Sequence, residues 1–337
     1  MQYTLSILAL PLLLSAPLSC KGPGAERPVS PGDPAQGEVS IPASPGWNGT
    51  LLLDTDGVGI WAVASYPVFE QYGSPEVVAL DDAGRCRVLV SYSGKWTPLD
   101  TVHDSKWLAP SAFADLDARV DGSELYAAGQ SGNVFQIAAY PNGVLDARLV
   151  ASLPGREIHT LVAGELDPTL PGGELLAFTR PGGLYLLKPS RTRAGFDAQY
   201  LGDLPGRVRD ALVLPGPADE PASIATVSRD GRLAILQLDA GVPRFGIVHE
   251  EAMGMGRLAM RKSAAGETLV LYSTCDDGRV LRHEELPDEG WRTETIYAGP
   301  QGPRGLAAGR FAEDPTLETI AVFGYSRTVQ LLTRTDG

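Results

Sequence analysis

The sequence predicts an all-β protein, a six-bladed β-propeller closed by an N-terminal strand that completes the last blade. Three observations carry this. Gly 39 and Pro 27 together make about a fifth of 337 residues, which demands many turns and few long helices. Short β-rich runs recur with a period of about 48 residues between 47 and 337. Units of roughly 40–50 residues holding four strands are the sequence form of a propeller blade.

The repeats form three ladders. One joins an acidic or small residue to an apolar strand, at Glu76-Val77-Val78-Ala79-Leu80, Glu124-Leu125-Tyr126-Ala127, Glu174-Leu175-Leu176-Ala177, Ser223-Ile224-Ala225-Thr226-Val227, Thr268-Leu269-Val270-Leu271-Tyr272 and Glu318-Thr319-Ile320-Ala321-Val322. Most are followed by a Gly-containing turn and a second strand, as at Ser131-Gly132-Asn133-Val134 and Asp230-Gly231-Arg232-Leu233, a hairpin signal. A second ladder runs Trp47, Trp96, Leu145, Phe196, Phe245, Trp291 and reads as the outer strands. A third marks Ala/Gly-rich segments such as Leu161-Val162-Ala163-Gly164 and Gly305-Leu306-Ala307-Ala308-Gly309. Small residues suit the innermost strands, which crowd around an axis. The chain stops after the third strand of its last unit, while the surplus outer strand, Trp47 to Leu53, stands at the start. Pairing the two closes the ring and removes two open edges.

Residues 1–19 carry no charge and contain the apolar run Leu5 to Leu14, broken by Pro11. That is too short for a membrane span and reads as a signal peptide. Pro17-Leu18-Ser19-Cys20 resembles the bacterial lipobox, which implies lipidation of Cys20. Residues 20–46 are rich in Pro and Gly with almost no large apolar side chain, so they read as a tether to the propeller at 47–337. Cys86 and Cys275 fall in non-adjacent units and are expected as buried free thiols. No Cys/His cluster has zinc spacing. Lys+Arg 28 against Asp+Glu 41 gives a net charge of −13, which argues against nucleic acid as a partner.

The repeats resemble the FG-GAP/VCBS class of extracellular propeller repeats, in which a small strand leads to an acidic D-x-D-x-D-G-like loop and then to an acidic residue opening an apolar strand. The loop is seen at Asp115-Leu116-Asp117-Ala118-Arg119-Val120-Asp121-Gly122-Ser123-Glu124, and more weakly before Glu174 and Glu318. The resemblance implies calcium held by Asp115, Asp117, Asp121 and Glu124. An extra residue before Asp121 and the presence of Arg119 depart from the pattern. The other reading is an acidic turn capped by its own backbone hydrogen bonds. No other cofactor is expected.

One further column is basic. His159, Arg209, Arg257 and Arg304 open the innermost strands of the last four blades, with Ile60 and Ala109 at the aligned positions of the first two. Converging at one mouth of the channel, they would bind an anion through Arg forks. Alternatively each pairs with a nearby carboxylate, such as Glu157, Asp210 or Glu313, and ties blades together. No tyrosine is placed near the axis, and no G-x-S-x-G, phosphate-cradling loop or H-E-x-x-H occurs. The functional expectation is an exported, lipid-anchored binding or scaffold protein of the bacterial cell envelope, in contact with the membrane through its anchor. Its partner is expected to be an envelope protein or an anionic glycan or metabolite. The alternative is an anionic-carbohydrate binder or polysaccharide lyase that uses His159, Arg209 and Arg257.

Overall fold

Short extended runs separated by glycine turns form antiparallel sheets throughout the computed structural model. It describes residues 52–69, 75–92, 95–140, 142–170, 172–217, 220–261, 268–299, 303–309, 311, 317–324 and 329–334. The first blade holds β1 (Ile60–Tyr66), β2 (Glu76–Asp81), β3 (Arg85–Tyr92) and β4 (Lys95–His103). The second holds β5 (Leu108–Ala114), β6 (Glu124–Gly129), β7 (Asn133–Ala139) and β8 (Leu145–Ser152). In the third are β9 (Glu157–Gly164), β10 (Glu174–Arg180), β11 (Gly183–Pro189) and β12 (Phe196–Asp203). The fourth comprises β13 (Val208–Val213), β14 (Ile224–Ser228), β15 (Arg232–Asp239) and β16 (Val242–Glu250). The fifth comprises β17 (Met255–Arg261), β18 (Val270–Cys275), β19 (Arg279–Leu286) and β20 (Gly290–Ala298). The last contains β21 (Pro303–Gly309), β22 (Thr319–Gly324) and β23 (Val329–Thr333). This is a six-bladed β-propeller, as the period predicts. Each blade's first strand lies against the first strand of the next, from β1 through β21.

The hydrophobic core lies in slabs between neighbouring blades. Val78, Leu80 and Val88 of the first blade meet Leu108, Leu125 and Ile137 of the second. Leu176, Phe178 and Leu186 of the third meet Ile224, Leu236 and Leu238 of the fourth. A sheet wedged between two others buries both faces. That is why β6, β14 and β18 are buried at every residue and read as continuous apolar runs rather than alternating ones. Cys86 and Cys275 are separate buried thiols. The outer face of the first blade is covered by Leu52 and Leu53, which pack on Ala79, Leu89 and Trp96. Trp47 to Leu51 lie outside the described residues, and so does the expected pairing of that segment with the last blade. Residues 1–46, with the signal-like segment, Cys20 and the tether, lie outside them too.

The acidic opener of the second strand has a structural task. Glu76 accepts the Phe69 amide at 3.1 Å, Glu124 the Leu116 amide at 3.1 Å, and Glu174 the Leu166 and Asp167 amides at 3.0 and 3.3 Å. In the last blade Thr319 accepts the Phe311 amide at 3.1 Å. Each loop folds back over the blade and inserts one apolar plug (Phe69, Leu116, Leu166, all buried), so its amides need an acceptor where water is excluded.

Candidate functional site at the channel mouth

All six innermost strands share one irregularity near their start. Ile60 pairs with Asp81 and Ala62 with Leu80, which leaves Trp61 unpaired. The same slip leaves Ala109 and Pro110 in β5, His159 in β9, Arg209 in β13, Gly256 and Arg257 in β17, and Arg304 in β21. A bulge breaks the alternation and re-aims one residue. Repeated around the wheel, it sets one ring of residues at the mouth where the innermost strands begin. The basic column is therefore the bulge column, and the residue of the first blade that belongs to it is Trp61 rather than Ile60.

One side of the mouth is aromatic. Trp61 is 51% exposed, and its indole N–H donates to Asp82. Its ring lies 5.3 Å from that of Trp107, which precedes β5. Trp107 in turn lies 5.5 Å from the His159 ring. His159 Nε2 meets Glu157 Oε1 at 2.5 Å. Burial, aided by the charge of Arg207, holds the His159 imidazole below its ordinary pKa, with Glu157 opposing.

The other side is cationic. Burial, together with the like charges of Arg209, Arg229 and Arg180, lowers the Arg207 pKa, with Glu157 opposing. Arg209 Nη1 donates to Asp276 Oδ1 at 2.7 Å and to the Met255 carbonyl at 3.3 Å, tying the fourth blade to the fifth. Arg180 reaches Glu157 at 3.5 Å. Arg207 and Arg229 have no carboxylate within ion-pairing distance among the described residues. An open cavity of about 290 Å³ is lined by Arg180, Pro181, Gly206, Arg207, Arg229 and Asp230.

The structure thus joins His159 and Arg209 through Arg207. Arg257 lies a blade further on, exposed, where its charge favours the ionised form of Asp210 against the effect of burial. The Arg304 side chain lies outside the described residues. Trp107, Arg207 and Arg229 escape a reading based on strand openers. The rhyme Leu153-Pro154-Gly155-Arg156 and Leu204-Pro205-Gly206-Arg207 was the available signal for Arg207.

Deeper in the channel, β1 places Tyr66 on the axis wall, contrary to the expectation of no axial tyrosine. Its hydroxyl lies 3.2 Å from Ser111 Oγ. Burial raises the phenol pKa, and the Asp210 charge adds to this, so the phenol keeps its proton and is no base.

The expected calcium ligands do not converge. Glu124 is buried against the Leu116 amide and the Tyr126 hydroxyl, the latter at 2.9 Å. Asp117 pairs with Arg119 at 2.6 Å and with Arg148; burial works to raise its pKa, but hydrogen bonds from Arg119 and Gln136 hold it down at about 2. Asp115 and Asp121 are exposed. Among the described residues no group of three or more His, Cys, Asp or Glu is placed to hold a metal ion. Within the loop Asp117 Oδ1 accepts the Arg119 amide at 3.2 Å and the Asp117 carbonyl accepts the Val120 amide at 2.8 Å.

Two solved structures of BBS1N in complex with ARL6DN are similar to this chain. The one soaked with lead has a TM-score of 0.59 at 16% identity, and the one soaked with mercury 0.60 at 14%. Each match covers 86% of this chain and 85% of that chain. No family model matches the sequence, and no curated protein does. At such identities the likeness carries the fold.

These findings correct several expectations. The FG-GAP/VCBS resemblance is overturned, since the matched wheel is BBS1N and no repeat family matches. Its hallmark acidic opener is explained by loop capping, which any wedged blade can use. The expectation of an exported, lipid-anchored envelope protein, with its periplasmic or cell-surface location and its membrane contact, is corrected too: the comparisons lend it no support, matching BBS1N in complex with ARL6DN instead. The expected envelope-protein or anionic-glycan partner and the lyase alternative are likewise corrected: the comparisons lend them no support, and the propeller matched is in complex with a protein, ARL6DN.

Proposed function

We propose that this chain is a non-enzymatic protein-binding propeller whose working surface is the mouth where the innermost strands begin. One observation carries this reading: the continuous arc Trp61, Trp107, His159 and Arg207, spread over four blades. Trp and Arg are the side chains that anchor protein interfaces, because each offers a large contact area together with a directed donor. Similarity to a propeller in complex with ARL6DN supports the same class of partner. The blades behind the arc are hydrogen-bonded sheets packed on one another, a preformed support that limits the ordering cost of association.

The test is site-specific photo-cross-linking of the full chain in the cells that make it. A benzophenone side chain at Trp107 is compared with one at Val144, which is exposed on the β7–β8 turn at the opposite end of the wheel. The expected result is a discrete protein adduct from position 107 and none from 144. The same adducts from both positions, or none from either, would refute the reading.

A further inference from the structure

We propose that the cavity lined by Arg180, Arg207 and Arg229 receives a carboxylate from an acidic segment of a protein partner. The inference rests on the protein-binding reading above and specifies the chemistry of one anchor within it.

The charge arrangement is incomplete as it stands. Arg209 has Asp276, Arg180 shares Glu157 with His159, and Asp230 is engaged by Arg232 at 3.0 Å. Arg207, half-buried, and Arg229, exposed, both line the cavity and have no counter-charge at ion-pairing distance among the described residues. The backbone fixes their separation, since the Arg229 amide donates to the Arg207 carbonyl at 2.9 Å. Two buried donors, Arg207 Nε and Arg209 Nε, have no acceptor. A buried unsatisfied donor is costly, and a guanidinium fork is shaped for two parallel bonds to one carboxylate. Burial and mutual repulsion depress the Arg207 pKa, a penalty that an incoming anion would relieve. In a chain of net charge −13 this is a local reversal of sign, which would steer an acidic partner to this spot.

The surroundings favour a peptide carboxylate over a free multivalent ion. Asp230 lines the cavity and Glu157 flanks it, so a second negative charge on the ligand would meet repulsion. The tryptophan pair, which continues the arc beyond His159, offers an apolar anchor that a peptide can reach and a bare ion cannot use.

The experiment titrates a fluorescein-labelled hexaglutamate peptide into the full chain at low ionic strength and follows anisotropy. The variant pair Arg207→Gln with Arg229→Gln is compared with Arg191→Gln and Arg244→Gln, a pair of equal charge change placed away from the cavity. Loss of both cavity arginines is expected to weaken binding about tenfold or more, with an unchanged thermal melt, while the remote pair leaves affinity within about twofold of wild type. No peptide binding to the wild type, or equal weakening by both pairs, overturns the proposal. Displacement of the peptide by inorganic phosphate at lower concentration than by glutarate overturns it in favour of a small phosphoryl ion. The cross-linking comparison does not involve these arginines. Absent peptide binding with retained Trp107 adducts therefore removes the carboxylate anchor alone.

Discussion

Acidification should weaken this wheel through one buried histidine. His283 is fully buried in β19. Its Nε2 lies 2.8 Å from Ser273 Oγ and its Nδ1 2.8 Å from Thr293 Oγ1, so two hydroxyls satisfy the neutral ring. Burial, reinforced by His249 with its ring 5.4 Å away, pushes the imidazole pKa down to about 3, against a smaller opposing effect of Glu251. The unfolded chain takes up its proton at the ordinary imidazole value near 6.5. Protonation thus favours unfolding, and stability falls as pH drops below 6.5, levelling off only near 3. Between pH 7 and 5 the loss attributable to His283 is about 2 kcal/mol, or roughly 3 °C in Tm for a domain of this size. The window stays above the range in which Glu251, held at about 2 chiefly by its hydrogen bonds to Arg279, would lose its charge. Glu174 works in the opposite sense: burial raises it to about 7, so its contribution to stability rises as pH falls from 7 toward 4.5. The readout is therefore a difference. The Tm of wild type and of His283→Gln, whose amide can bond to both hydroxyls without titrating, is measured by circular dichroism at pH 7 and pH 5. Glu174 and His159 act in both proteins and cancel. Wild type should lose roughly 3 °C more than the variant. Equal shifts in the two proteins would refute the assignment of a neutral, acid-sensitive His283.

Three further outcomes follow from the packing. Asp167 is fully buried and accepts the Thr169 amide at 3.0 Å, the Thr169 hydroxyl at 2.6 Å and, from the next blade, the Gly241 amide at 2.6 Å. Asp167→Ala should cost about 3 kcal/mol in denaturant unfolding, and an unchanged midpoint would show that this clip is dispensable. Burial pushes the Cys86 and Cys275 thiols up to about 12, so a Cys20→Ser chain should release no chromophore from a thiol reagent at pH 8 until it is denatured. Rapid labelling of the native protein would contradict the burial. Deleting residues 47–56 removes Leu52 and Leu53 from the face of the first blade and is expected to give insoluble protein, whereas a normal thermal melt would count against ring closure by this segment.

Much of the architecture was legible because a wedged blade imposes strong local demands. The runs at Leu125, Leu175, Ile224 and Leu271 are apolar without alternation because both faces of those strands are covered. The turns keep glycine for a steric reason seen at Gly132 and Gly231: both have positive φ, and a Cβ there would strike the carbonyls of Leu153 and Glu251. The acidic openers are visible too, but their amide-capping task is not legible in the spacing. Glu124 belongs to a buried amide-capping scheme, and nothing in the spacing of carboxylates distinguishes a loop cap from a cation cage.

The candidate site was only half legible. His159 and Arg209 could be picked out because both fall on a repeated strand opening. Trp107, Arg207 and Arg229 do not, because they stand in the turns that flank the strands, just before β5, just before β13 and just after β14, where no strand period marks them. Only the Leu-Pro-Gly-Arg rhyme points to Arg207. The order of the blades around the axis, and the small residues that fill it, were set by the sequence period alone, since every unit must bury two apolar faces and turn at fixed intervals. Which side chains share the mouth was decided by the tertiary structure: residues about fifty positions apart are brought together by the slip of each inner strand and the packing of one blade on the next, and no local pattern encodes that convergence.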